Sequence, residues 1–406
     1  MSKTLTLGLC CSLALVLGAC GDDSAGGSGG SGGSAGGDAF LVANRVRTPD
    51  SRALFVSVLP SLDVGQVDLA GAIELSGVSR AVAFDGKVYG FDGESGVVTR
   101  YVVDGDRLVE DVLDDGSRAR FGMSGVGVTS FTSQIIFLSS ERAYYVDTLS
   151  LDQVVVWNPT AMTLTSTFPA PELAREGFSS TTGGSLIAIE DFVVMPVSWA
   201  DQASATFVPT AAMIVFSASE DRVIGLIEDD RCVIARAAIA DSGSVFLMAD
   251  SGGGVADLFS EPGSVPPPCL LEWEPGAAEL NPDFYRDLRT ITGFPLVSGA
   301  VGRGDGTLIT QLYTSDIDPL TLEPLELLDL SLWQWGIVDF RSDTSTLIGA
   351  IPQGGVSSTG WVIDGTYMVP EFDDDGGQSA LFQIDDPGAT ELLTVTGELF
   401  NVDRIR

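Results

Sequence analysis

The sequence predicts an all-β fold, namely a β-propeller. The number of sequence repeats indicates seven four-stranded blades. From Phe40 onward, short apolar runs alternate with clusters of Asp, Gly, Ser and Pro, and no long helical period occurs. The runs form a unit that returns at intervals of roughly 50 to 65 residues, which fits one blade. The alternatives are six or eight blades, or a pair of β-sandwiches.

The first strand of each unit leads into a tight turn. Ala81–Phe84 is followed by Asp85-Gly86, and Trp361–Ile363 by Asp364-Gly365. Asp-Gly pairs supply the positive φ angles that two-residue hairpin turns require. The pattern therefore predicts a hairpin between the first and second strands.

The second strand of each unit ends in an acid, and Phe40–Asn44 fits as the seventh such strand, at the start of the domain. Because all second strands of a propeller run in the same direction, we expect the acids to form a loose ring around the mouth of the channel. The acids are Asp92, Asp147, Asp201, Asp250, Asp316 and Glu371.

This acidic ring has two interpretations. A ring of carboxylates suits calcium, the one cofactor that the sequence suggests, or a cationic ligand. Aspartates at strand ends also accept hydrogen bonds from backbone amides and start turns. We favour the turn interpretation and keep the metal site as a prediction.

A third and a fourth strand complete each unit, as in Val154–Trp157 and Met162–Phe168. The first unit has no first strand of its own, and the C-terminal segment Leu399–Arg404 has no unit after it. We expect this segment to be the innermost strand of the first blade. Closure of that kind ties the ring shut and protects its edges.

The N-terminus predicts export and a lipid anchor. Residues 1–19 contain Lys3 and an apolar run from Leu5 to Leu17, which is the pattern of a signal peptide. Leu17-Gly18-Ala19-Cys20 resembles the bacterial lipobox, which implies that Cys20 is lipidated. The alternative is an ordinary signal peptide that is cut near Ala19.

A Gly/Ser-rich tether and a propeller domain follow the anchor. Residues 20–37 contain the lipidated cysteine and a segment too poor in apolar residues to fold, and residues 38–406 form the domain. Gly21, rather than Asp, follows Cys20, and this favours the outer membrane over the inner one. We expect a cell-envelope protein that faces the periplasm or the cell surface.

Composition excludes several kinds of chemistry. The chain has a formal net charge of −35 and contains no histidine. The charge argues against nucleic acid as a partner. The absence of histidine excludes Ser-His-Asp triads and His-ligated metals. The six tryptophans lie mostly in predicted strands, which favours packing over sugar stacking.

Two cysteines remain after the leader and the lipidated Cys20 are set aside. Cys232 and Cys269 are both in the domain, and an oxidising compartment favours a disulfide between them. The alternative is two separate small core residues.

The layout of lipobox, Gly/Ser tether and degenerate blades resembles that of propeller-like surface lipoproteins of myxobacteria. One such group is encoded with siderophore genes of the myxochelin type. This resemblance implies an accessory role in iron acquisition, and it transfers no site residue.

The function that the sequence favours is a non-catalytic, lipid-anchored binding or scaffold propeller. Its partners would be the membrane, through the lipid, and a protein or small ligand held by the loops. The alternatives are a histidine-free enzyme, either a calcium-dependent lactonase or a carboxylate glycosidase, and the siderophore-linked role.

Overall fold

Seven β-sheets are arranged as the blades of a propeller, which confirms the predicted fold class and blade number. Most blades are four-stranded and antiparallel. The computed structural model describes residues 37–406 with gaps at 48–51, 77–78, 93–94, 123–133, 148–151, 182–185, 202–205, 234, 242, 250, 324–325, 358–359, 374–376 and 386–387.

The strands follow one another with short connections. In the first half of the chain they are β1 (Phe40–Arg47), β2 (Arg52–Leu59), β3 (Gly65–Gln66), β4 (Ile73–Ser76), β5 (Ser79–Phe84), β6 (Lys87–Asp92), β7 (Val97–Asp104), β8 (Arg107–Glu110), β9 (Arg120–Gly122), β10 (Ile135–Ser139), β11 (Arg142–Asp147), β12 (Gln153–Asn158), β13 (Thr163–Pro169), β14 (Ser179–Thr181), β15 (Ile187–Ile189), β16 (Phe192–Asp201), β17 (Thr206–Phe207), β18 (Ala211–Ser217) and β19 (Arg222–Asp229).

Short helices interrupt the strands in the second half of the chain. The elements there are β20 (Ala235–Asp241), β21 (Ser244–Ala249), α1 (Ser251–Phe259), β22 (Cys269–Trp273), β23 (Arg286–Asp287), α2 (Leu288–Thr292), β24 (Val297–Gly302), β25 (Thr307–Tyr313), α3 (Glu326–Asp329), β26 (Trp333–Asp339), β27 (Thr344–Leu347), β28 (Trp361–Ile363), β29 (Thr366–Phe372), β30 (Gln378–Ile384), β31 (Ala389–Thr396) and β32 (Glu398–Arg404). Two 3-10 turns lie at Pro171–Leu173 and Pro319–Thr321.

Each blade is a hydrogen-bonded sheet that extends from the centre of the ring to its rim. From the innermost strand outward, the orders are β32-β1-β2-β4, β5-β6-β7-β8, β10-β11-β12-β13, β14-β16-β18-β19, β20-β21-β22-β23, β24-β25-β26-β27 and β28-β29-β30-β31 for blades 1 to 7. Additional strands pair with blade 2 (β9), blade 4 (β15 and β17) and blade 7 (β3).

The C-terminal strand closes the ring, as predicted. β32 pairs antiparallel with β1, with Val402 opposite Val42. Gly397 precedes this strand with a φ of 82°. A methyl group there would lie 2.3 Å from the carbonyl oxygen of Arg45, so only glycine fits where the chain enters the closing strand.

The predicted Asp-Gly hairpins are also present. Asp85 and Gly86 have φ angles of 50° and 72°, and Asp364 and Gly365 have angles of 51° and 73°. Two successive positive φ angles define the turn that matches the twist of a two-stranded ribbon. These turns join β5 to β6 and β28 to β29.

The hydrophobic core lies between neighbouring blades. All six tryptophans are fully buried, which confirms that they pack rather than face ligands. Trp157 shows the arrangement, because its ring lies 5.7 Å from that of Tyr89 in blade 2 and 5.5 Å from that of Phe137 in its own blade. Edge-to-face contacts of this kind are favourable for aromatic rings.

Cys232 and Cys269 form a disulfide in this core, with their Cα atoms 5.6 Å apart. Both residues are fully buried among the side chains that join blades 4 and 5. The bond links the segment entering blade 5 to β22, the third strand of that blade.

Removing this disulfide is expected to destabilise the domain. The bond closes a loop of 37 residues, and restoring the freedom of such a loop to the unfolded chain lowers the free energy of unfolding by about 4 kcal/mol. A Cys232→Ala, Cys269→Ala double variant should therefore unfold at a lower urea concentration. Reduced wild-type protein is the matched comparison. Coincident unfolding curves for the variant and the oxidised wild type would contradict this expectation.

Candidate functional site

The acids of the predicted ring are placed on or near second strands, as expected. Asp92 and Asp147 end β6 and β11, Glu371 lies one residue before the end of β29, and Asp316 follows β25 by three residues. Asp201 ends β16. Its side chain, and Asp250 as a whole, lie outside the described residues.

The four acids with described side chains have different surroundings. Asp92 accepts hydrogen bonds from the amide and hydroxyl of Ser95, at 3.2 and 2.7 Å, which is the turn chemistry that the sequence favours. Asp147 and Glu371 are buried, and Asp316 is exposed. No three Asp, Glu, His or Cys side chains in the described ranges lie close enough to hold one metal ion. These four acids therefore form no calcium site by themselves, and one that includes Asp201 and Asp250 stays a prediction.

Glu371 is the most perturbed acid of this set. It is 6% exposed, and neither carboxyl oxygen has a well-aligned hydrogen-bond partner among the described residues. Burial raises the pKa of Glu371 to about 9. The backbone amide of Phe372 lowers the pKa, but burial has the larger effect. The carboxyl group rests on Gly354, where a methyl group would overlap it. Glu371 is therefore neutral in the folded protein at neutral pH.

A groove of about 630 Å³ opens between blades 4 and 5. Its base includes Leu280, which is buried in the core that joins these blades. Val208, Pro209 and Pro282 add apolar surface. Such a mixture of apolar base and charged rim is common in binding sites.

Two arginine–carboxylate pairs form the walls of the groove. Arg175 lies 2.7 Å from Glu228, and its guanidinium stacks 4.7 Å from the centre of the Trp199 ring. Arg231 binds Asp229 through two nitrogens, at 3.0 and 2.7 Å. The Arg231–Asp229 pair is bidentate, which fixes its geometry, and the Trp199 ring orients the more exposed Arg175.

Arg231 also donates hydrogen bonds to residues of blade 5. Its Nη1 atom donates to the carbonyl oxygen of Pro282 at 2.9 Å, and its Nη2 atom donates to that of Asn281 at 3.2 Å. The two sides of the groove are thus joined through one guanidinium.

The rim carries two further carboxylates, Asp230 and Glu279. Both are exposed, and neither forms an ion pair with another described residue. With the two wall pairs neutral, these carboxylates give the groove a net negative charge. The sequence contains no signal for this site, because Arg175 and Glu228 are 53 positions apart and meet only through the blade geometry.

The helices among the described residues are too short to span a bilayer. Cys20 and the tether up to residue 36 lie outside the described residues, so lipidation stays a prediction.

Comparisons with known proteins place the chain among propellers. No protein-family model matches the sequence, and no curated protein is similar to it. A candidate 6-phosphogluconolactonase from Bacteroides fragilis is similar in structure, with a TM-score of 0.50, 9% identity, and coverage of 93% of this chain and 100% of the other. TolB from Acinetobacter baumannii has a TM-score of 0.42 and 9% identity over 90% of this chain and 82% of its own.

The propeller domain of the Trilobed protease from Pyrococcus furiosus has a TM-score of 0.43 and 12% identity, and the match covers 88% of this chain and 92% of that domain. At such identities a structural likeness shows the fold and leaves activity open. The likeness to the Bacteroides structure therefore shows that this chain has the propeller fold.

Proposed function

We propose that the chain is a lipid-anchored binding propeller of the bacterial cell envelope, held at the outer membrane through Cys20. The observation that carries the binding role is the groove between blades 4 and 5, with its arginine–carboxylate walls and acidic rim. The lipobox-like leader and the Gly/Ser segment support the anchor and its reach.

The chemistry of the groove favours a partner that presents lysine or arginine. Asp230 and Glu279 offer two exposed carboxylates beside an apolar base, which suits an extended basic peptide segment with small apolar residues. The acidic wall residues Glu228 and Asp229 are each neutralised by an arginine. This pairing suits recognition better than proton transfer, and it favours the binding role over the lactonase or glycosidase alternative.

Charge reversal tests this role of the groove. An Asp230→Lys, Glu279→Lys variant should lose at least about tenfold in affinity for fluorescent Lys/Arg-rich peptides, because attraction to two rim charges becomes repulsion. The matched control is an Asp63→Lys, Asp106→Lys variant, which makes the same change in net charge at two exposed positions outside the groove. Equal loss in both variants would show that only the overall charge matters.

The anchor is tested separately with Cys20→Ser. Without the cysteine no lipid is attached, and the sequence predicts no other means of membrane attachment for the domain and its Gly/Ser tether. We expect the protein to move from the membrane fraction to the soluble fraction of broken cells. Continued sedimentation with membranes would reject the lipobox interpretation. The siderophore-linked role stays a prediction, which the genes beside this one can test.

A further inference from the structure

Arg80 lies at the centre of the ring, on β5, the innermost strand of blade 2. It pairs in register with Phe91 of β6 and has no exposed surface. Fully buried arginine is rare, because its charge must leave water and its five N–H donors need acceptors.

The guanidinium group lacks those acceptors. Nε, Nη1 and Nη2 of Arg80 are all buried without a hydrogen-bond partner among the described residues. Burial lowers the pKa of Arg80 to about 9, so the group is still a cation at neutral pH. A buried cation with unsatisfied donors is costly unless an anion or another acceptor reaches it.

Two polar side chains of the adjacent closing strand make their described hydrogen bonds to other groups than Arg80. Asp403, on the adjacent closing strand, attracts Arg80, but its carboxyl oxygens accept the amides of Ala83 and Arg404 at 2.9 and 3.0 Å. Asn401 accepts from Trp361 Nε1 at 3.1 Å and donates to the carbonyl oxygen of Ala81 at 2.9 Å. Asp403 and Asn401 thus bind backbone groups at the inner edge of β5. The guanidinium donors of Arg80 stay without acceptors among the described residues.

We propose that Arg80 forms a binding site for a small monocarboxylate at the centre of the propeller. The planar fork of a guanidinium matches the two oxygens of a carboxylate. A monoanion matches the single positive charge of the guanidinium. Burial raises the pKa of the nearby Asp403 to about 7, so Asp403 can take up a proton when the anion binds. A dianion would leave an uncompensated charge in the interior. Asp403 is partly exposed, so solvent reaches the neighbourhood of the site.

This site is separate from the groove and from the basic peptide proposed for it. The overall negative charge of the protein repels anions. At physiological ionic strength, however, salt largely screens this repulsion for charges more than about 8 Å away. We therefore expect weak binding, with a dissociation constant of about 1 mM.

Formate, the smallest carboxylate, is the probe. Calorimetric titration of the purified full chain at fixed ionic strength should show saturable binding of one formate, and Arg80→Met should weaken it by at least about tenfold. Arg107→Met is the matched control, since Arg107 is an exposed arginine in the same blade. It should bind formate like the wild type. Phosphate, tested in parallel, should bind more weakly than formate.

Two outcomes would overturn the proposal. One is the absence of saturable formate binding to the wild type up to about 100 mM. The other is equal binding by the wild type and Arg80→Met. If Arg80→Met does not fold, as judged by circular dichroism, crystals of the wild type grown with formate decide the matter. Density for formate within hydrogen-bond distance of the Arg80 guanidinium supports the site, and its absence in crystals that contain formate rejects it.

Discussion

Replacing Glu371 by glutamine is expected to remove a large part of the pH dependence of stability. The folded-state pKa of Glu371 is about 9, against 4.5 for the free side chain. The raised pKa means that the folded protein holds the Glu371 proton more tightly than the unfolded chain does. Protonated Glu371 therefore contributes to the free energy of unfolding in full below pH 4.5, and this contribution is lost as the pH rises through about 9.

The expected difference is measurable in one set of unfolding curves. Between about pH 5 and pH 8 the wild type should lose on the order of 4 kcal/mol more unfolding free energy than Glu371→Gln. The variant has no carboxyl group to keep protonated, so this contribution vanishes. Asp403, whose pKa burial raises to about 7, acts in the same direction in both proteins and cancels in the comparison.

Glu391→Gln is the control for the loss of one negative charge. Glu391 lies on β31 of the same blade and is exposed. It should leave the pH dependence of the wild type unchanged. Parallel pH profiles for the wild type and Glu371→Gln would show that Glu371 is ionised in the folded protein. Carboxyls with lowered pKa values, such as Asp191 with its hydrogen bonds from Ser219 and Ser217, affect stability only in more acidic solution.

The sequence sufficed for the architecture because the signals of a propeller are local and repeated. Asp85-Gly86 and Asp364-Gly365 set their hairpins through backbone geometry alone. The unmatched segments at Phe40 and Leu399 could only complete each other, and β1 and β32 pair in the structure.

The surroundings of the acids could not be predicted in the same way. Alternation of apolar and polar residues along a strand distinguishes a buried face from an exposed one. In a propeller blade, however, neighbouring blades can cover both faces. Glu371 follows the buried Val369 and Pro370 and is itself buried, whereas Asp92 turns toward Ser95 at the surface. The groove and the Arg80 site likewise depend on residues that are distant in sequence.

Deleting the closing strand should have an effect as large as any single change in this chain. Residues 398–406 contribute four buried apolar side chains, Leu399, Phe400, Val402 and Ile405, to the cores on both sides of blade 1. At about 2 kcal/mol for each, their loss removes roughly 8 kcal/mol, which is comparable to the whole stability of a domain.

The deletion also exposes a new sheet edge. β1 keeps β2 on its outer side but loses β32 on its inner side, and Trp361 Nε1 and the carbonyl oxygen of Ala81 lose Asn401. We expect the truncated protein to associate through this edge and to lose protection of β1 amides in hydrogen exchange. Deletion of residues 21–36, which removes the tether instead, should leave both properties unchanged.

Adding the missing strand back as a peptide distinguishes the loss of ring closure from a general destabilisation of the domain. A peptide of residues 398–406 carries the same pairing groups and apolar side chains as β32, so it should restore β1 protection and the monomeric state. A peptide with Asn401→Leu should restore them less well, because Trp361 Nε1 and the Ala81 carbonyl group are again left unsatisfied inside the ring. Full protection of β1 in the truncated protein without any peptide would mean that the six other blades hold blade 1 in place, and that the closing strand serves a purpose other than stability.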